Sequence, residues 1–117
     1  MYCNYIRLLA RTFAGAAPQN ILPVMPEGSG WPLNGARTIN VIIENPTVVI
    51  GTVYVQLIPD PRQKVYVVPA AGTNYGPIAI GATRNFEVAA VASYYLCIYI
   101  GGYVAPVTIQ AIEVGAR

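Results

Sequence analysis

From Arg37 onward the chain alternates between short apolar runs and clusters of turn residues. Residues 38–44 are β-branched and apolar, and Asn45-Pro46 closes them. Residues 47–58 are rich in Val and Ile, with Gly51 inside as a bend or bulge. Pro59-Asp60-Pro61-Arg62 is turn chemistry, because proline presets φ and aspartate favours a turn start. Residues 64–68 read as a short strand, 69–77 as a loop and 77–81 as a brief apolar stop. In 84–90, Phe86 and Val88 face one way and Asn85 and Glu87 the other, which predicts a half-buried strand. Residues 94–100 and 103–109 flank Gly101-Gly102 and predict a hairpin turning on that pair. Short strands with turns about every eight to twelve residues predict an all-β fold. The expected form is a small antiparallel β-sandwich, jelly-roll-like, over residues 37–117.

Residues 1–36 differ, and the pattern sets them apart as an N-terminal arm. Ile6, Leu9, Ala10 and Phe13 recur at helical spacing, which predicts a short amphipathic helix over 4–14. Such a helix is marginal alone and needs a docking surface. From Pro18 onward, Pro23, Pro26 and Pro32 alternate with Gly28, Gly30 and Gly35, so an extended segment is expected. The small residues 14–17 resemble the end of a secretory leader, but Arg7 and Arg11 interrupt its apolar part.

The second face of the strands changes the picture. Val53, Val55 and Leu57 can fill a core, which turns Tyr54, Gln56 and Ile58 outward. Leu96, Ile98 and Ile100 likewise share one face, and Tyr95, Cys97 and Tyr99 the other. Outward tyrosines suit contact surfaces, since each joins a large apolar area to a polar tip. Strands buried on both faces inside one domain would read the same way. The candidate interface residues are Ile6, Leu9, Phe13, Trp31, Tyr54, Tyr95 and Tyr99.

Composition supports contact over free solubility. Apolar residues make up 55% and charged residues 10% of the 117, where a soluble domain carries about 25% charged. A small monomer with so few charges exposes apolar patches, which mark contact sites. The seven basic residues are scattered, so no nucleic acid partner is expected. Residues 88–112 carry no charge and are long enough to cross a bilayer. Their tyrosines, Gly101-Gly102 and Pro106 favour two strands instead, so membrane contact is a third, less favoured reading.

Candidate chemistry is sparse. There is no histidine, which removes the commonest general base and metal ligand. Glu27, Glu44, Asp60, Glu87 and Glu113 are far apart in sequence, and Glu87 with Glu113 is the one pair worth comparing. Ser29 and Ser93 lack a nucleophile-elbow setting. Cys3 and Cys97 form neither a disulfide framework nor a zinc pattern, and whether they pair is open. No enzyme activity, catalytic residue, cofactor or metal is expected. Loop residues Asn74 and Tyr75 offer a polar fork beside a stacking face, a candidate ligand site against the plainer reading of a turn.

The order of pieces resembles a known group. The Asn45-Pro46 turn, the GTVYVQL strand at 51–57, GPIAIGATRNFEV at 76–88 and SYYLCIYIGGYVAPVTIQAIEV at 93–114 carry the likeness. Together they resemble small β-sandwich accessory proteins of tailed phages and other viruses, of head-fibre, decoration or spike-base type. Residues 1–36 have no counterpart in that pattern. The resemblance implies a structural protein of the virion, on its outer shell or capsid surface. Its implied partners are other copies of itself and other virion proteins. The alternative is a β-sandwich module that binds a receptor or glycan.

Overall fold

Apolar runs bounded by turns leave backbone donors and acceptors that only a ladder can satisfy, and here every described strand finds its ladder partner far away in sequence. A computed structural model describes residues 1–23, 30–59, 73–90 and 94–117. Within them lie β1 (Asn4–Phe13), β2 (Gln19–Asn20), β3 (Trp31–Pro32), β4 (Thr38–Pro46), β5 (Thr52–Ile58), β6 (Thr83–Ala89), β7 (Tyr95–Gly101) and β8 (Val107–Ala116). They form two antiparallel sheets, an all-β sandwich-like fold. Sheet A runs β1-β8-β4-β6. In sheet B, β7 is central, with β5 on one side and β2 and β3 sharing the other. No two consecutive described strands pair with each other.

The core lies between the sheets. In sheet A the inward row Ile6–Val114–Val41–Phe86 crosses all four strands, and Ile39, Ile43 and Ile112 bury fully beside it. Sheet B answers with Val53, Leu96, Ile98 and Ile100, also fully buried. Asn20 keeps the β7 edge satisfied where β2 stops. Its Oδ1 accepts from the backbone N–H of Ile98 and of Leu22, each at 3.2 Å. A buried N–H left without such a partner costs about 1–3 kcal/mol.

Sheet A is creased along one row. Ala10 and Asn45, the residues flanking Gln110, both adopt left-handed backbone (φ 50° and 54°). Ladder pairing is interrupted at that row and resumes in the same register beyond it. Across it the inward parity flips, from Ile112 to Ile109 in β8 and from Ile43 to Pro46 in β4. Asn45 Nδ2 donates to Gln110 Oε1 at 2.6 Å across the row. The asparagine tolerates this conformation, whereas an alanine there costs roughly 1 kcal/mol.

Four expectations are corrected. The helix over 4–14 is strand β1, paired with β8 from Asn4↔Ala116 to Phe13↔Val107. The crease shifts parity within β1, so its core-side residues Ile6, Leu8 and Phe13 break simple alternation, and the helical stripe counted Leu9 and Ala10, which are exposed. The arm is part of the sandwich: β1 edges sheet A, β2 and β3 edge sheet B, and Ile21, Leu22, Trp31, Leu33 and Ala36 lie in the core. The hairpin at Gly101-Gly102 does not form, because β7 and β8 belong to opposite sheets. Gly102, at φ 63°, starts a crossover, and its carbonyl accepts from Gly51 N–H at 3.1 Å. The run 47–58 is not one strand: β5 starts at Thr52, after an isolated bridge between Ile50 and Ile78. The strand expected over 64–68 lies outside the described residues, as do 60–62 of the preceding turn. No described helix is long and apolar enough to cross a membrane, which says nothing of strands.

Candidate interaction surface

The tyrosine face expected on sheet B exists, but much of it is closed. Cross-strand pairing places Tyr54 opposite Tyr99, Gln56 opposite Cys97 and Ile58 opposite Tyr95 on its outer side. Ile58, Cys97 and Tyr99 are buried and form a second small apolar cluster, with Tyr95 packed against it. Tyr54 and Tyr95 are half-buried. The Cys97 thiol and Tyr99 hydroxyl are neighbours on this face, two residues apart on β7. Burial, and then the neighbouring thiol, pushes the Tyr99 phenol up to about 12. Burial also pushes the Cys97 thiol up, with the neighbouring Tyr99 hydroxyl pulling the other way. Both groups are therefore neutral near pH 7, and this thiol is a packing group rather than a nucleophile. Gln56 Oε1 is buried without a hydrogen-bond partner among the described residues. Cys3 is exposed and Cys97 buried, and both are free thiols.

The other expected interface residues scatter. Trp31 is in the main core, and Ile6 and Phe13 are half-buried against it. Leu9 is open to solvent on the outer face of sheet A. Its strand is the edge of sheet A among the described residues, and Arg7, Arg11 and the bend at Ala10 blunt that edge against strand addition. Between β1 and residues 20–23 lies a cleft of about 130 Å³, lined by Leu8, Arg11, Phe13, Ile21 and Leu22. It is below the 300 Å³ or so of an ordinary ligand pocket.

Asn74 and Tyr75 are occupied within the fold. Asn74 Oδ1 accepts from Val53 N–H and Gly76 N–H, both at 2.9 Å, and its Nδ2 donates to Gly51 O at 3.4 Å. Tyr75 stacks on Phe86, with centroids 4.2 Å apart and planes 13° apart. Asn74 thus extends the ladder beyond β5, and one face of Tyr75 is covered. The carboxylates do not converge either. Glu44, Glu87 and Glu113 lie on the outer face of sheet A, with β4 between the strands of Glu87 and Glu113. Two strand spacings, about 10 Å, separate those strands. Desolvation first and the nearby Glu113 carboxylate second raise the Tyr5 phenol.

The sequence reading missed one surface. The β1–β2 loop (14–18), the β4–β5 loop (47–51), the stretch leading into β6 (76–82) and the β7–β8 crossover (102–106) meet at one end of the sandwich. Gly51 N–H donates to Gly102 O, Ile50 and Ile78 exchange hydrogen bonds at 3.0 and 2.8 Å, and Tyr103 Oη donates to Gly15 O at 3.3 Å. None of these four stretches contains a charged residue. At their tips Val104 is 80% exposed, Ile80 64% and Val49 47%. The available signal was the lack of charge in turn stretches, where polar residues are usual. Comparison with protein-family models, with curated proteins and with solved structures found no match.

Proposed function

We propose that this chain is a structural subunit of a virus particle, a capsid, decoration, turret or fibre-base component that works through protein–protein contacts. The observation that carries the reading is the loop end: exposed Val49, Ile80 and Val104 gathered on uncharged loops of a chain with only 10% charged residues. Exposed apolar patches of this kind mark contact surfaces.

The strand order supports the jelly-roll form. β2 and β3 act as one interrupted edge strand, since both pair with the same side of β7. With the strand expected over 64–68 taken as the fifth, sheet A runs first, eighth, third, sixth. The described part of sheet B then runs second, seventh, fourth. That is the order of a double-sheet jelly roll, a design used in viral capsid and lectin domains. Fold alone does not decide between such uses, and the apolar loop end favours assembly.

Size-exclusion chromatography with light scattering tests the reading. An oligomer at micromolar concentration is expected, and a well-behaved monomer there would sink it.

A further inference from the structure

We infer that the loop end is where identical copies of this chain meet around a rotation axis, an inference that rests on the assembly reading above. Near such an axis each side chain faces its own copy, so any charge there meets the same charge. Like charges placed against each other across an interface cost several kcal/mol. Contact between identical copies therefore favours a surface that carries no charge, and the four stretches at this end carry none. The outer face of sheet B is uncharged too, but three of its six residues are already buried within the chain. Two other described surfaces carry charge. The outer face of sheet A holds Arg7, Glu44, Glu87 and Glu113, and the β3–β4 connection holds exposed Arg37, whose N–H binds the Arg117 carbonyl.

The end is also preorganised. Backbone hydrogen bonds tie the β4–β5 loop to the β7–β8 crossover and to the stretch before β6. Gly51 and Gly102 are so close that a Cβ on Gly102 would stand 3.0 Å from Gly51 Cα. Fixed loops lose little freedom on contact, which lowers the cost of association.

Composition separates a second copy from other occupants. A lipid-facing tip uses Trp, Tyr, Lys or Arg at the interface, and these stretches hold no Trp, Lys or Arg. Their single tyrosine, Tyr103, is half-buried with its hydroxyl bound to Gly15 O. A partner of different sequence is selected by complementary charge, and the end offers none to match.

The test uses the full chain with Val104→Asp and Val104→Lys, each alone and then mixed, in sedimentation equilibrium. Each variant alone is expected to self-associate roughly 100-fold more weakly, and the equimolar mixture to recover most of the loss, because position 104 meets its own copies. Circular dichroism checks that each variant is folded, and the pair Ile80→Asp and Ile80→Lys repeats the measurement at a second tip. If wild-type chain assembles and the single variants assemble equally well, the inference falls while the assembly reading stands. If the variants weaken but the mixture does not recover, the end contacts a different surface, and the axial contact is overturned. If wild-type chain is monomeric, both readings fall. In that case, co-flotation of wild type but not Val104→Asp with phosphatidylcholine vesicles would make the end a lipid-facing surface.

Discussion

The two sheets pair alike, yet their outer faces differ. The outer face of sheet A is polar, with Arg7, Asn40, Glu44, Asn85, Glu87 and Glu113 around Ile42. The outer face of sheet B carries Tyr54, Gln56, Ile58, Tyr95, Cys97 and Tyr99, and three of these six are buried. Strand alternation therefore reports which face a residue is on, but not whether that face meets water. In sheet A the polar outer positions are exposed or half-buried, with Leu9 an exposed apolar exception. In sheet B the non-core face is closed as well, so β7 behaves like a strand buried on both sides.

Matched substitutions can break this comparison. Cys97→Asp places a carboxylate in a fully buried site and should cost about 3–5 kcal/mol. Asn85→Asp, on the exposed face of sheet A, should stay within about 0.5 kcal/mol. Urea unfolding measures both, and equal costs would show that the faces are equivalent. A milder pair is Ile58→Asn against Ile42→Asn. The buried Ile58 should lose about 2–3 kcal/mol and the half-buried Ile42 about 1 kcal/mol or less.

Replacing Ala10 with glycine tests the crease that flips the faces of sheet A. It should gain about 1 kcal/mol in thermal unfolding by relieving left-handed backbone, and a loss would show that Ala10 is not strained. The smallest effect concerns pH. Burial raises the folded Tyr99 phenol from 10 to about 12. The folded state then holds the proton more tightly, so its stabilising share is complete below about pH 10 and is lost as pH rises toward 12. Tyr99→Phe should flatten that alkaline loss, and an unchanged pH profile would place the titration elsewhere.

Much of sheet A could be read directly from residue order. Phe86 and Val88 against Asn85 and Glu87 showed β6 by simple alternation, and the apolar residues of 38–44 showed most of β4. β1 misled because the parity change at Ala10 leaves Ile6, Leu8 and Phe13 as its core-side residues, a spacing that mixes two and five. Gly101-Gly102 misled for a different reason. Glycine permits tight backbone approach, and local chemistry does not say whether the chain then doubles back or crosses to the other sheet. Parity placed Tyr54, Tyr95 and Tyr99 on the non-core face correctly, but their burial depends on packing that no single strand encodes. The loop end was hidden because Val49, Ile80 and Val104 come from three separate turns that only the fold brings together.

The long-range pairing of the described strands also has a consequence for how the molecule forms. β8 lies between β1 and β4 and supplies ladder partners to both. A growing chain therefore cannot close sheet A until β8 has emerged from the ribosome, however early β1 was made. Among the described residues no strand pairs with the one next to it in sequence, so closing sheet A depends on long-range encounters, which are slow. Until β8 arrives, β1 and β4 present open edges in a crowded cell, and the newly made chain is most exposed to aggregation during that interval.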